Sequence, residues 1–117
     1  MQRALTISFL MALAFASAPA LASGDAAAGK QKSATCAACH GADGNATADG
    51  QYPRLAGQYV DYIAQALHEY KDGERKNAIM VGMAAPLSDD DIANLAAYYA
   101  SLPGKLSDLH GKVQGGD

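Results

Sequence analysis

Two cysteines and a histidine stand together in the first half of the chain, in the order Cys36-Ala-Ala-Cys39-His40. On a helix, thiols at this spacing lie about one turn apart. Each sulfur can then form a thioether bond with one vinyl group of a haem while the adjacent imidazole reaches the iron. The motif therefore predicts one covalent haem c, attached through Cys36 and Cys39 and ligated by His40.

Three other kinds of site also use closely spaced cysteines. A thioredoxin-like redox pair requires a βαβ setting, and no strand pattern precedes the motif. A zinc site requires four ligands, whereas the motif supplies three, and His68 and His110 are isolated. A disulfide between Cys36 and Cys39 would close too small a loop to stabilise much. These residues therefore favour haem attachment.

A haem iron has a further axial position that a methionine thioether can fill. Beyond the N-terminal segment the chain has two methionines, Met80 and Met83. Methionine also serves as core filler, but a haem needs covering and methionines are few. We expect one of them to be the ligand, and the residues alone leave the choice open. If neither bound the iron, the free position could accept peroxide or a diatomic gas, as in an enzyme or a sensor.

Helical patterns surround these residues. Residues 25–35 are rich in alanine and start at an aspartate, which favours a first helix. Between Gln58 and Tyr70, apolar side chains recur at three- and four-residue steps, which predicts a second helix. Residues 41–57 are punctuated by glycines and form a long irregular loop, which a compact domain could use to wrap a flat cofactor.

The clearest helix signals precede the last predicted helix. Ser88 and Asp91 have the spacing of a capping box, and Pro103 stops the helix at its other end. The segment from Glu74 to Ala85 is less regular and has room for one short helix. Because no alternating strand pattern occurs in the sequence, the predicted fold class is all-α.

The N-terminus differs in composition from the rest. Arg3 is followed by an uncharged apolar run and then by Ala20-Leu21-Ala22, which fits the small-x-small rule for signal cleavage. A spanning helix would need about 20 strongly apolar residues, so cleavage is favoured over a membrane anchor. We expect a secretory signal peptide at 1–22, a folded domain at 23–103, and a polar, mobile tail at 104–117. Such a signal implies a periplasmic protein.

Charge narrows the class of partner. The chain has 12 acidic and 9 basic residues and a net charge of −3, which argues against nucleic acid, since that partner requires a basic face. No second apolar run has membrane length, so we expect no stable membrane insertion of the mature chain, and a monomer. Lys71, Arg75 and Lys76 form a local basic cluster that could steer an acidic redox partner, although solvated lysines and arginines are common in loops.

From Gly24 to about Leu102 the chain resembles the class I cytochromes c. The likeness is greatest to the small soluble bacterial type that also occurs, doubled, in two-haem periplasmic cytochromes. The matching pieces follow the family's order: Gly24-Asp-Ala-Ala-Ala-Gly29, Cys36-Ala-Ala-Cys-His-Gly41, Asp43-Gly-Asn45, Pro53-Arg-Leu-Ala-Gly-Gln58, Met80-Val-Gly-Met83 and Leu87-Ser-Asp…Leu95-Ala-Ala-Tyr-Tyr99.

The resemblance implies particular roles for residues. The family's ligand methionine usually lies seven residues before the apolar residue that precedes the last helix, which is Leu87 here, so the implied ligand is Met80. Met83 is then left for the core or for lining the haem pocket. The backbone carbonyl of Pro53 is implied to accept a hydrogen bond from the second nitrogen of His40, an arrangement that fixes the imidazole.

The resemblance also implies a fold and a function. The first and last helices should cross through a glycine and an aromatic, here Gly29 with Tyr98 or Tyr99. The protein should be an electron carrier and not an enzyme, with a six-coordinate His/Met haem c. It would shuttle single electrons between redox protein partners, a dehydrogenase-type donor and a terminal oxidase or reductase. A dedicated haem subunit of a larger redox enzyme is the alternative.

Overall fold

The computed structural model describes residues 23–46 and 49–104, so the predicted signal peptide and all but the first residue of the predicted tail lie outside the described residues. These ranges contain helices and loops and no strand, which confirms the predicted all-α class. The five helices are α1 (Ala26–Lys32), α2 (Ala34–His40), α3 (Val60–Asp72), α4 (Ala78–Ala84) and α5 (Asp89–Ser101).

The prediction of one continuous helix over residues 25–35 is wrong, because the chain breaks at Ser33. The Ser33 hydroxyl donates to the carbonyl of Lys30 at 2.8 Å, and the Ser33 N–H donates to the carbonyls of Gly29 and Lys30. A serine side chain that bonds the preceding turn competes with the regular helix ladder. The break separates α1, which packs against α5, from α2, which carries the cysteine motif.

Helices α1 and α5 cross at very close range. A Cβ atom added at Gly29 would overlap the backbone carbonyl of Asn94 and lie 2.8 Å from the Tyr98 Cβ atom. Only glycine therefore permits this approach. The crossing was predicted to pair Gly29 with Tyr98 or Tyr99, and the structure places Tyr98 there. Two polar contacts fix the crossing, a hydrogen bond from the Asp25 N–H to the Asn94 side chain at 2.7 Å and the Lys32–Asp91 ion pair at 3.2 Å.

Helix α5 carries most of the buried apolar surface. Its capping box is present as predicted, since the Ser88 hydroxyl accepts from the Asp91 N–H and the Asp91 carboxylate accepts from the Ser88 N–H. Helix α3 runs two residues past its predicted end and stops where Gly73 adopts a positive φ of 77°. The central core is small: Ile63 of α3 packs with Leu95, Ala96 and Tyr99 of α5.

The segment from Gly41 to Tyr59 contains no helix or strand in its described part, as the glycine pattern predicted. It is nevertheless anchored. The N–H groups of Leu55 and Ala56 both donate to the carbonyl of Gly44, at 2.7 and 2.9 Å. The Gly57 N–H donates to the carbonyl of Tyr99 at 2.9 Å. These bonds fold the loop back on itself and tie it to α5.

Candidate haem-attachment site

Helix α2 carries the two cysteines of the motif. Cys36 and Cys39 are not joined by a disulfide, and both are partly buried. Their separation of three residues on one helix places them on the same side, about one turn apart. The helix ends at His40, where Gly41 takes a positive φ of 86°. A thiol pair in this arrangement is available for thioether bonds to a flat ligand.

The imidazole of His40 is buried and oriented. Its ring is only 5 % exposed, and its Nδ1 atom lies 2.8 Å from the backbone carbonyl oxygen of Pro53. Because a carbonyl oxygen can only accept, Nδ1 carries the hydrogen, which leaves the Nε2 lone pair free for a metal. The hydrogen bond expected from the resemblance is thus present. Tyr52, which the sequence did not single out, contacts the His40 ring edge-on at 6.3 Å between centroids.

The loop that presents Pro53 is held by two side chains, Arg54 and Asn45, to which the sequence motifs assigned no role. The Arg54 guanidinium donates to the carbonyl of Asn45 at 3.2 Å, and the Asn45 side-chain amide donates to the carbonyl of Pro103 at 3.1 Å. The loop is therefore connected to the segment just beyond α5, which fixes the position of the carbonyl that orients His40. The turn sequence Asp43-Gly44-Asn45 was the pattern from which a role for Asn45 could have been predicted.

One buried hydroxyl near the thiols is unpaired. Tyr99 is 3 % exposed, and among the described residues its hydroxyl has no hydrogen-bond partner. It lies beside the side chains of Ser33 and Cys36, and burial raises the pKa of the Tyr99 phenol far above its ordinary value. The phenol therefore stays neutral. A buried hydroxyl without a partner is costly and fits a site that is completed by another group.

Helix α4 carries both candidate methionine ligands. Met80 lies in its first turn and is partly buried, whereas Met83 is 48 % exposed. Three residues apart on a helix, they share one face. Met83 is therefore not a core residue, and its expected role in lining the haem pocket stays a prediction. The assignment of the iron ligand to Met80 also stays a prediction.

The basic cluster upstream of α4 is mostly engaged within the protein. The Lys71 ammonium lies 3.7 Å from the Asp89 carboxylate, and the Arg75 guanidinium lies 3.3 Å from the Glu69 carboxylate. Arg75 also stacks over the rings of Tyr62 and Tyr70 at 5.7 and 5.4 Å. Lys76 is exposed, and no ion pair within the described ranges involves it. The steering hypothesis is therefore reduced to one lysine.

Two kinds of feature do not occur in the described residues. In residues 23–46 and 49–104, no group of three or more His, Cys, Asp or Glu side chains is placed to hold a metal ion. None of the helices described is long and apolar enough to cross a membrane. The thiols of Cys36 and Cys39 and the oriented imidazole of His40 form a donor set that fits a haem c.

Comparison with known proteins places these features in a family. The family model for cytochrome c matches residues 26–103. The chain is 52 % identical over 81 residues to cytochrome c-554(548) of Halomonas halodenitrificans, covering 67 % of this chain and 96 % of that protein. It is 48 % identical over 97 residues to cytochrome c4 of Pseudomonas aeruginosa, covering 83 % of this chain and 47 % of the other.

A solved structure gives the same result. The crystal structure of reduced recombinant cytochrome c4 from Pseudomonas stutzeri superposes with a TM-score of 0.66 at 43 % identity, over 71 % of this chain and 48 % of that one. The chain thus spans about half the length of the cytochrome c4 relatives that it matches. Given this similarity, and the Cys36, Cys39 and His40 spacing of a single covalent haem c, the chain belongs to the cytochrome c family.

Proposed function

We propose that the protein is a periplasmic electron carrier that passes single electrons through one haem c with His40 and Met80 as axial ligands. The observation that carries the proposal is the 2.8 Å hydrogen bond between His40 Nδ1 and the Pro53 carbonyl. It leaves the other nitrogen of a buried imidazole free and fixed in direction, beside two thiols at the spacing of covalent attachment. The donor is a dehydrogenase-type protein and the acceptor a terminal oxidase or reductase.

Each residue of the site has a separate task. Cys36 and Cys39 hold the cofactor on a domain with too small a core to enclose it by burial alone. The Pro53 carbonyl keeps the His40 ring in one orientation and increases its strength as a ligand. When bound, the haem iron supplies the redox chemistry, alternating between its ferric and ferrous charge states.

Met80 determines what kind of cytochrome this is. Its thioether is a soft ligand that favours the reduced state and so raises the potential. With His40 and Met80 both holding the iron, a bound haem would leave no position open for a substrate, which favours a carrier over an enzyme or a gas sensor. Because neither residue would leave the iron when its charge changes, little rearrangement of the protein would accompany electron transfer.

The test compares the two methionines on the same helix face. Met80→Ala is expected to abolish the near-infrared charge-transfer band of thioether-ligated ferric haem and to lower the reduction potential. Met83→Leu, which roughly conserves volume, should leave both unchanged. The measurement is a redox titration of the haem-loaded variants followed by near-infrared absorption. Loss of the band in Met83→Leu with its retention in Met80→Ala would show that the ligand is one helical turn away from the proposed one.

A further inference from the structure

The connection between α3 and α4 is fixed at its α3 end. Gly73 ends α3 with a positive φ of 77°, and the Arg75 N–H then donates to the carbonyl of Glu69 at 3.0 Å. The Arg75 side chain lies along α3, paired with Glu69 and stacked over Tyr62 and Tyr70. The chain therefore enters α4 from a defined starting point.

At the α4 end, a single side chain holds the first turn. Asn77 is extended, with φ −160° and ψ 111°, and its side-chain oxygen accepts from the N–H groups of Ile79 and Met80, both at 3.1 Å. These are two of the four N–H groups that a helix start leaves without a partner in the helix. One of the two belongs to Met80 itself, so the cap acts directly on the backbone of the proposed iron ligand.

Few other contacts within the described residues hold the first turn of α4. The helix has only seven residues, too few for a helix that is stable by itself. It packs against α3, but it buries only Ala84, at its far end, and Ile79 in the first turn is 60 % exposed. If the first turn frayed, the Met80 backbone would move with it, whereas Met83 in the last turn would move less.

We propose that Asn77 is a positioning residue for the axial methionine. By capping the first turn of α4, it holds Met80 in the arrangement that keeps the thioether on the iron and resists its displacement by outside ligands. The inference rests on the proposed function, because it takes Met80 as the ligand. It requires only that the cap be formed when the thioether is bound and free to open when it is not.

The test is an imidazole titration of the ferric, haem-loaded protein, followed by loss of the near-infrared thioether band. Asn77→Ala should bind imidazole about fivefold more tightly, which corresponds to the ~1 kcal/mol that a lost cap costs. Asn77→Asp keeps an acceptor at the same position and should restore an affinity close to that of the wild type. A loss of general stability alone would not produce this selective change.

Helix α1 provides a matched control. It also has seven residues, and its cap Asp25 accepts from the second and third N–H groups at 2.8 and 3.3 Å, the same pattern as at Asn77. Asp25→Ala should therefore lower resistance to urea without changing imidazole affinity. Equal affinities in Asn77→Ala and the wild type, or an equal increase in Asn77→Ala and Asp25→Ala, would overturn the proposal. Retention of the thioether band in Met80→Ala would instead reject the proposed ligand.

Discussion

The α1–α5 crossing and the segments that carry the proposed ligands are built in different ways. At the crossing, the backbones nearly touch at Gly29, and an ion pair and a hydrogen bond join the helices. Helix α5 buries four of its side chains. Of the two helices that carry the proposed ligands, α2 buries only His40 and α4 only Ala84. Direct contacts between α1 and α5 hold the crossing, whereas α2 and α4 carry functional groups and make few packing contacts.

This difference indicates how the fold and the cofactor depend on each other. The crossing is specified by complementary residues that meet each other directly. The segments that carry the proposed ligands are oriented by few hydrogen bonds, one from His40 to Pro53 and two from the first turn of α4 to Asn77. We infer that a bound haem packs between α2 and α4. Substitutions in these helices and substitutions at the crossing should therefore affect stability to different extents.

The largest effect is expected where the cofactor is lost. Replacing Cys36 and Cys39 together by Ala removes both thioether bonds, and the remaining small core should not offset the conformational entropy of folding. The cost should exceed the ~5 kcal/mol that keeps a small domain folded, which gives a largely unfolded, proteolysed chain in far-ultraviolet circular dichroism. Ala38→Ser on the same helix is the control and should fold normally. A stable, helical double variant without haem would refute the dependence.

The next largest effect is expected at the crossing. Gly29→Val would place a side chain where the Asn94 carbonyl already lies, so the helices would have to separate, at a cost of about 3 kcal/mol or more. Ala27→Val adds the same side chain at an exposed position of α1 and should cost less than about 1 kcal/mol. Urea unfolding of the haem-loaded variants measures both. Similar midpoints for the two would mean that the close approach is not required.

A smaller effect depends on pH. The hydrogen bond from the Ser88 N–H, and then the Lys32 ammonium, lower the pKa of Asp91 below its ordinary 3.8. A carboxylate with a lowered folded-state pKa stabilises the protein above pH 3.8, and this contribution is lost as the pH falls through the folded-state value.

Wild type should therefore be more stable than Asp91→Asn at neutral pH, and the difference in thermal midpoint should disappear in strong acid. Asp90→Asn is the control. It removes a charge from the same helical turn but leaves the capping box intact, so it measures the general effect of charge at the helix start. A difference between wild type and Asp91→Asn that does not change with pH would show that the carboxylate acts by shape alone.

The smallest effect concerns partner association. Lys76→Gln should lower the rate of electron transfer with an acidic redox partner at low salt, by much less than the roughly tenfold or greater effect of a whole charged surface. The decrease should disappear as salt screens the charge. Arg75→Gln should in addition reduce stability, because the Arg75 guanidinium is paired with Glu69. Identical salt slopes for wild type and Lys76→Gln would exclude steering by this loop.

Short-range patterns could be predicted from the sequence because their physics is local. The capping box at Ser88 and the attachment motif at Cys36 depend on neighbours within a few residues, and so did the approximate positions of α3 and α5. The irregular loop at 41–57 followed from its glycines. The pairing of His40 with Pro53 and of Gly29 with Tyr98 came from the resemblance, since nothing local joins such distant positions.

The rest required three-dimensional structure. The break at Ser33 depends on whether the serine hydroxyl bonds to a backbone carbonyl of the preceding turn, and the sequence alone does not decide this. The engagement of Lys71 by Asp89 joins residues from separate helices, so it changed the interpretation of the basic cluster. The sequence shows Asn77 as a possible N-cap before Ala78. Its proposed importance depends on the hydrogen bond that it accepts from the Met80 N–H, which only the structure shows.

The most direct test of the account is a potentiometric titration of the wild-type protein, purified from cells that attach haem, with visible and near-infrared absorption recorded together. We expect one covalently bound haem, a reversible one-electron transition, and a thioether band that is present in the oxidised protein and disappears on reduction. A chain without covalent haem would contradict attachment at Cys36 and Cys39. An oxidised spectrum of five-coordinate iron without the thioether band would contradict the proposed electron carrier.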